Sequence, residues 1–222
     1  MLAASEHWTY EHFLDQVLSD QEQQADERSR EALLRFASFP YKKTIQDFDF
    51  AFQNSISPQV IAELAECAFI RQHQNIVFLG PPGTGKTHLA IALGIEATKR
   101  RLKVRFTTCT DLITRLKEAK ERNTYQRRLA AYTGPSLLII DEVGFNPLKS
   151  DETVLLFDVI CKRYERGSVI LTANKSYTDW AEIFSGDAVI ATALLDRLLH
   201  HSQSFVLKGE SYRMKEFMEN KI

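Results

Sequence analysis

Residues 76–87 read IVFLGPPGTGKT: four apolar residues, then an eight-residue loop holding three glycines, two prolines and a lysine. Glycine loses the most conformational freedom on folding, so a loop this permissive is costly unless its backbone does something a side chain would block. From Gly80 to Thr87 the loop matches G-x-x-x-x-G-K-[ST]. It stands between an apolar run and a helical pattern, the context that gives this motif its meaning. The backbone amides of Gly83, Thr84 and Gly85 can turn inward as a concave anion site. A helix opening near Lys86 adds its positive dipole end. Lys86 is placed to reach outer phosphates, and Thr87 to offer its hydroxyl to Mg²⁺. Pro81, Pro82 and His88 complete the expected lining, and the implied ligand is a nucleoside triphosphate.

Hydrolysis needs more than a grip. Leu137–Ile140 form a second apolar run ending in Asp141 and Glu142. Asp141 can share the metal with Thr87, while Glu142 can polarise a water for in-line attack. A third run, VILTAN (169–174), ends in Asn174, whose amide can orient that water; an asparagine here is also a common turn initiator. Arg197 in LLDRLL (194–199) and Arg213 in GESYR (209–213) are the remaining polar candidates, and from spacing alone either is equally a solvated arginine.

Outward from the loop, short apolar strands alternate with helical patterns. Strands are predicted at 75–79, 103–108, 136–140, 168–172 and 204–207, and helices at 86–100, 110–121, 124–132, 152–165 and 188–199. This alternation predicts an α/β fold with a five-stranded parallel sheet flanked by helices. Before it, Thr9 can cap a helix whose Tyr10, Phe13, Leu14, Val17 and Leu18 make one apolar stripe, with Pro40 ending the helical region. The expected organisation is a helical region over 1–39, a linker over 40–57 and an ATPase domain over 58–222. Ser57-Pro58 starts the first helix of that domain. Phe48, Phe50 and Phe52 alternate along the linker, suited to docking on the domain or to walling an adenine pocket.

The chain has 222 residues and a net charge of −1, but the average hides a segregation. Residues 1–31 carry eight acids against Arg28 and Arg30, whereas residues 99–128 carry eleven bases against Asp111, Glu118 and Glu121. A positive stretch of this kind attracts phosphate backbones. Cys67, Cys109 and Cys161 are odd in number and far apart, as expected of reduced, mostly buried thiols in a cytoplasmic protein. No basic start with an apolar stretch marks a secretory signal, and no run is long enough to span a membrane. Trp8 and Trp180 read as packing residues. The pair His200-His201 shows no further metal ligand at useful sequence spacing.

Together, DFDF (47–50), the loop region 75–94, VRFTT (104–108), LLIIDEVGFNPL (137–148), LLDRLLHHS (194–202) and KGESYRMKE (208–216) resemble the AAA+ ATPases of the DnaA/DnaC-like initiator and helicase-loader branch. The resemblance is narrowest to the IstB-like helper ATPases of bacterial insertion sequences. It implies a P-loop core without a large C-terminal helical lid, with ATP and Mg²⁺ as cofactors. It further implies Asn174 as first sensor, Arg213 as second sensor, and Arg197 as an arginine finger offered to ATP in a neighbouring subunit. A helical insertion matching 110–132 would line a DNA path, making Lys117, Lys120, Arg122, Arg127 and Arg128 candidates for sequence-tolerant backbone contacts. The implied partners are duplex DNA, further copies of the chain and the transposase of the same element, without a membrane. Two other functions fit the residues: a replicative helicase loader, and an ATP-gated DNA scaffold with little turnover.

Overall fold

A computed structural model of the chain describes residues 9–184 and 188–219. Five strands, β1 (Asn75–Leu79), β2 (Val104–Thr108), β3 (Leu137–Val143), β4 (Ser168–Ala173) and β5 (Ser202–Val206), form one parallel sheet in the order β2-β3-β4-β1-β5. The expected strands are present, with β3 running further, through the two carboxylates. β1, β3 and β4 lie inside the sheet and are almost wholly buried, which is why they read as unbroken apolar runs. β5, at the edge, is polar and half exposed.

Alternate side chains of each strand feed two cores. Ile76, Phe78, Ile139 and Ile170 face a layer built on α2 (Pro58–Ala65), α3 (Ala68–Arg71) and α4 (Lys86–Lys99). Val77, Leu79, Leu138, Ile140 and Leu171 face α5 (Cys109–Glu121), α6 (Tyr125–Thr133), α7 (Ser150–Arg163) and α9 (Ala188–Leu199). The short α8 (Trp180–Ile183) and the final α10 (Tyr212–Glu219) complete the set. Trp180 is fully buried, as its packing role requires; Trp8 lies outside the described residues.

The first helix, α1 (Tyr10–Ala37), starts at Thr9, whose hydroxyl accepts from His12 N at 3.2 Å. Its carboxyl half joins the body, with Asp26 ion-paired to Arg101 partway along. There Ala37 is buried, and Arg105 of β2 donates to Phe36 O and Ser38 Oγ at 3.0 Å each. Its apolar stripe is present as periodicity predicts, yet in the single chain it faces solvent, with Tyr10 91% exposed. Residues 40–57 are a series of turns held on the core by Phe48 and Ile56. No described helix is long and apolar enough to cross a membrane.

The amino end of the sheet is fastened by a buried cation. Arg163, at the end of α7, donates to the carbonyls of Tyr132, Pro135, Ser136 and Ser168 at 2.7–3.2 Å, with no carboxylate among these partners. One planar guanidinium thus closes four carbonyls from α6, the α6–β3 turn and β4. Arg163→Ala should cost about 3 kcal/mol or more, because each orphaned buried carbonyl carries its own desolvation penalty. Urea denaturation measures this directly; wild-type stability in the variant would show the clamp to be dispensable.

Candidate nucleotide site

The strand order brings the carboxyl ends of β1, β4 and β3 side by side, the place where open α/β sheets bind ligands. The glycine loop leaves β1 there and turns into α4. Gly85 caps that helix with φ 90°, in the left-handed region that favours glycine, and a Cβ there would lie 2.5 Å from the Phe48 ring. Gly83, with φ 82°, lets Ser211 approach to where a Cβ would stand, and its carbonyl accepts from Tyr212 N at 3.0 Å. Two segments distant in sequence, 40–57 and 207–213, therefore close over the loop. Gln53, only 4% exposed, donates to Thr84 O at 3.2 Å. Lys86 Nζ donates to the carbonyls of Gly80 and Pro81 at 2.7 Å each, and burial pulls its pKa down to about 8.

Asp141 joins the loop to the sheet. Its Oδ1 accepts from Thr87 Oγ1 at 2.8 Å and from Thr172 Oγ1 at 2.5 Å. Thr172 Oγ1 also accepts from Glu142 N at 3.0 Å. Here β3 carries a bulge: Ile140 pairs with Leu171 and Val143 with Ala173, so Asp141 and Glu142 oppose Thr172 alone. The extra residue reverses the usual alternation. Glu142 takes φ 60° and stays exposed, while Asp141 is 4% exposed. One carboxylate is held inward against the loop threonine, and its neighbour is freed towards the clefts. The hard oxygen donors of Thr87 and Asp141 suit Mg²⁺.

Three clefts meet at this point. One, of about 340 Å³, is walled by Phe48, Phe52, Tyr212, Gln53 and His88, beside Lys86. His88 takes a fixed position through a 2.7 Å hydrogen bond between Nε2 and Thr44 O, and burial lowers its pKa. Phe50 stands behind the wall, its ring 4.7 Å from that of Phe48. A second cleft, of about 350 Å³, contains Tyr41, Arg105, Asp111, Arg115, Asp141 and Glu142. The third, of about 120 Å³, brings Asn174 to Glu142, Thr172 and Lys86; the Asn174 Oδ1 is buried without a hydrogen-bond partner. Arg213, on α10, lines all three.

A phosphate loop, a buried metal-type aspartate, a freed glutamate and an arginine on the closing helix form one constellation, and the family model described as IstB-like ATP binding protein matches residues 1–220. The chain belongs to the IstB-like ATP-binding family. It is 45% identical over 214 residues to the protein named for ATP binding in insertion sequence IS5376 of Geobacillus stearothermophilus, covering 96% of this chain and 85% of that one. The corresponding protein of IS21 from Pseudomonas aeruginosa gives the same identity and covers 80% of its own length. Among solved structures, DnaA from Aquifex aeolicus bound to AMPPCP aligns with a TM-score of 0.64 at 25% identity, over 82% of this chain and 55% of that chain. The DnaC helicase loader shares the fold, with a TM-score of 0.59 at 21% identity, over 78% and 96% of the two chains. The fold is thus the AAA+ P-loop core of the DnaA/DnaC type.

In this IstB-like chain the remaining sequence candidates lie elsewhere. Arg197 is on α9, its guanidinium 5.2 Å above the Phe157 ring and donating to Ala193 O at 2.9 Å. It shares a cleft with Asn75 and Val169, at the amino ends of β1 and β4, so it stands at the opposite end of the sheet from its own phosphate loop. Of the basic candidates on α5 and α6, Lys117 is paired with Asp151 at 2.9 Å and Glu152 at 2.8 Å. Lys120 lies 5.1 Å above the Tyr125 ring, and Arg122, Arg127 and Arg128 are exposed. Sequence reading missed Thr172, Gln53, Tyr41 and Tyr212 as site residues. Only Thr172 left a trace, a hydroxyl inside an otherwise apolar strand.

Lys86 yields a pH signature. Its folded value of about 8 lies below the ordinary 10.5, so folding disfavours the charged form. That cost is fully present below about pH 8. It is relieved between about 8 and 10.5, where the folded chain has lost a proton the unfolded chain still binds. In nucleotide-free protein, wild type should therefore gain stability relative to Lys86→Met across this window. Denaturant midpoints at about pH 7, 9 and 10.5 test it, and a pH-independent difference contradicts it.

Proposed function

We propose that the chain is an ATPase that assembles on duplex DNA in its ATP-bound state and recruits or activates the transposase of its insertion sequence. The observation that carries the hydrolytic part is the β3 bulge, which separates a buried aspartate bonded to Thr87 from an exposed glutamate beside Lys86. In this reading the loop amides and Lys86 hold the outer phosphates, and Thr87 and Asp141 hold Mg²⁺, which neutralises charge on the phosphate oxygens. Glu142 accepts the proton of a water placed in line with the γ-phosphorus, and the Asn174 amide orients that water. Arg213 reports on the γ-phosphate from the same chain. Phe48 and Phe52 wall the base.

Arg197 cannot serve its own site from the far end of the sheet, which supports its role as a finger entering the site of an adjoining copy. Lys120, Arg122, Arg127 and Arg128 would meet the DNA backbone. Lys117 already shares its charge with two carboxylates and would contribute less. The insertion-sequence relatives supply the reason to name a transposase as partner, whereas the likeness to DnaC is one of fold. A chain that works on DNA with free thiols suits the cytoplasm.

Glu142→Gln should bind ATP as wild type does while turnover falls by about 10²–10⁴. Arg197→Ala should lose about 10³ or more in rate, and wild-type turnover per chain should rise with protein concentration and added duplex DNA. Turnover that is equal at every dilution and indifferent to Arg197→Ala would defeat the assembly reading. An active Glu142→Gln would defeat the hydrolytic one, and preference for single strands with capture of a replicative helicase would replace the transposase by a helicase.

A further inference from the structure

Away from the nucleotide, the amino end of the sheet carries a cluster that sequence spacing conceals. Glu165, in the turn between α7 and β4, lies against His200 and His201 at the end of α9, with one ligand-type atom from each within 4.8 Å of the others. His201 Nε2 stands 3.8 Å from Glu165 Oε1, and the two imidazole centroids are 4.1 Å apart. All three residues are exposed. We infer that Glu165, His200 and His201 form a binding site for a zinc-class transition metal ion, independent of the Mg²⁺–ATP site.

Three features support this beyond proximity. First, the donor set is two imidazole nitrogens and one carboxylate, a set that binds Zn²⁺ with a position left open and does not suit Mg²⁺ or Ca²⁺, which take oxygen ligands. Second, the ligands have an outer support. His200 Nδ1 lies 2.9 Å from the Tyr164 hydroxyl, and in the tautomer whose Nδ1–H donates to that oxygen, Nε2 keeps its lone pair for a cation. Third, Glu165 holds a left-handed backbone, φ 57°, which an ordinary side chain seldom adopts. That conformation belongs to the turn that carries its carboxylate next to the histidines. Bonds of about 2.0–2.1 Å to a tetrahedral ion require ligand atoms roughly 3.3 Å apart, so side chains now within 4.8 Å of one another need to close by at most about 1.5 Å.

The location gives the site a consequence. Arg197 lies one helical turn before the histidines and shares a cleft with Glu165, His201 and His73. A bound ion would tie the α7–β4 turn to the end of α9 and so hold the segment that presents Arg197. His73 lines the same cleft.

Titration of the full chain with Zn²⁺ by calorimetry, and with Co²⁺ by visible absorption, tests the site in Mg²⁺-containing buffer without nucleotide. The expected result is one ion per chain with a tetrahedral Co²⁺ spectrum. Affinity should fall at least about tenfold in Glu165→Gln and be lost in the His200→Ala/His201→Ala double variant, with binding by His12→Ala unchanged. Zn²⁺ should also raise the thermal midpoint of wild type and not that of the double variant. Absence of stoichiometric binding in wild type, or wild-type affinity in Glu165→Gln or in the double variant, overturns the proposal. Should the double variant fail to fold, the Glu165→Gln titration decides alone.

Discussion

One carboxylate oxygen holds the site together. Asp141 Oδ1 accepts from Thr87 at the start of α4 and from Thr172 in β4, while the Thr172 hydroxyl takes the Glu142 amide. A buried carboxylate oxygen is tolerated only when it is hydrogen-bonded, and these two hydroxyls meet that demand at Oδ1. They also lock the phosphate-loop helix, β3 and β4 into one register. The bulge follows from the same constraint, because Asp141 can face the loop and Glu142 the clefts only if two residues oppose one. The position of the glutamate that the proposed hydrolysis depends on is thus a consequence of how its neighbour is bonded.

The second organising feature is that one sheet presents different chemistry at its two ends. Its carboxyl end holds the phosphate loop, Asp141, Glu142, Asn174 and Arg213; its amino end holds Arg163, Arg197 and the Glu165–His200–His201 cluster. Arg163 anchors the amino end with four carbonyl contacts, so the elements around Arg197 rest on a rigid base. α1 adds a surface of another kind. Its carboxyl end is bonded to β2, and its apolar stripe lies open in the single chain.

Much of this was legible in the sequence where local chemistry demands a residue type. The glycine loop, the apolar interior strands and the acidic pair after LLII each require a specific setting, and the parallel α/β core matches them closely. What stayed hidden depends on contacts between distant segments. Gln53 and Tyr212 reach the loop across about 30 and 130 residues, and nothing local in DFDFAFQN distinguishes a linker from a cleft wall. Periodicity identified the apolar face of α1, but periodicity does not say what covers a face. His200 and His201 showed no third ligand because β4, α8 and α9 separate them from Glu165 in the chain.

In the proposed assembly, a site built on one chain is completed by Arg197 of another. Mixing two inactive proteins tests it most directly: Glu142→Gln, which keeps the finger, and Arg197→Ala, which keeps the glutamate. In a mixed assembly some sites pair an intact Glu142 with an intact neighbouring Arg197. ATP turnover, near background for either variant alone with duplex DNA, should recover in the mixture to a substantial fraction of wild type. A mixture no more active than its separate components would contradict it.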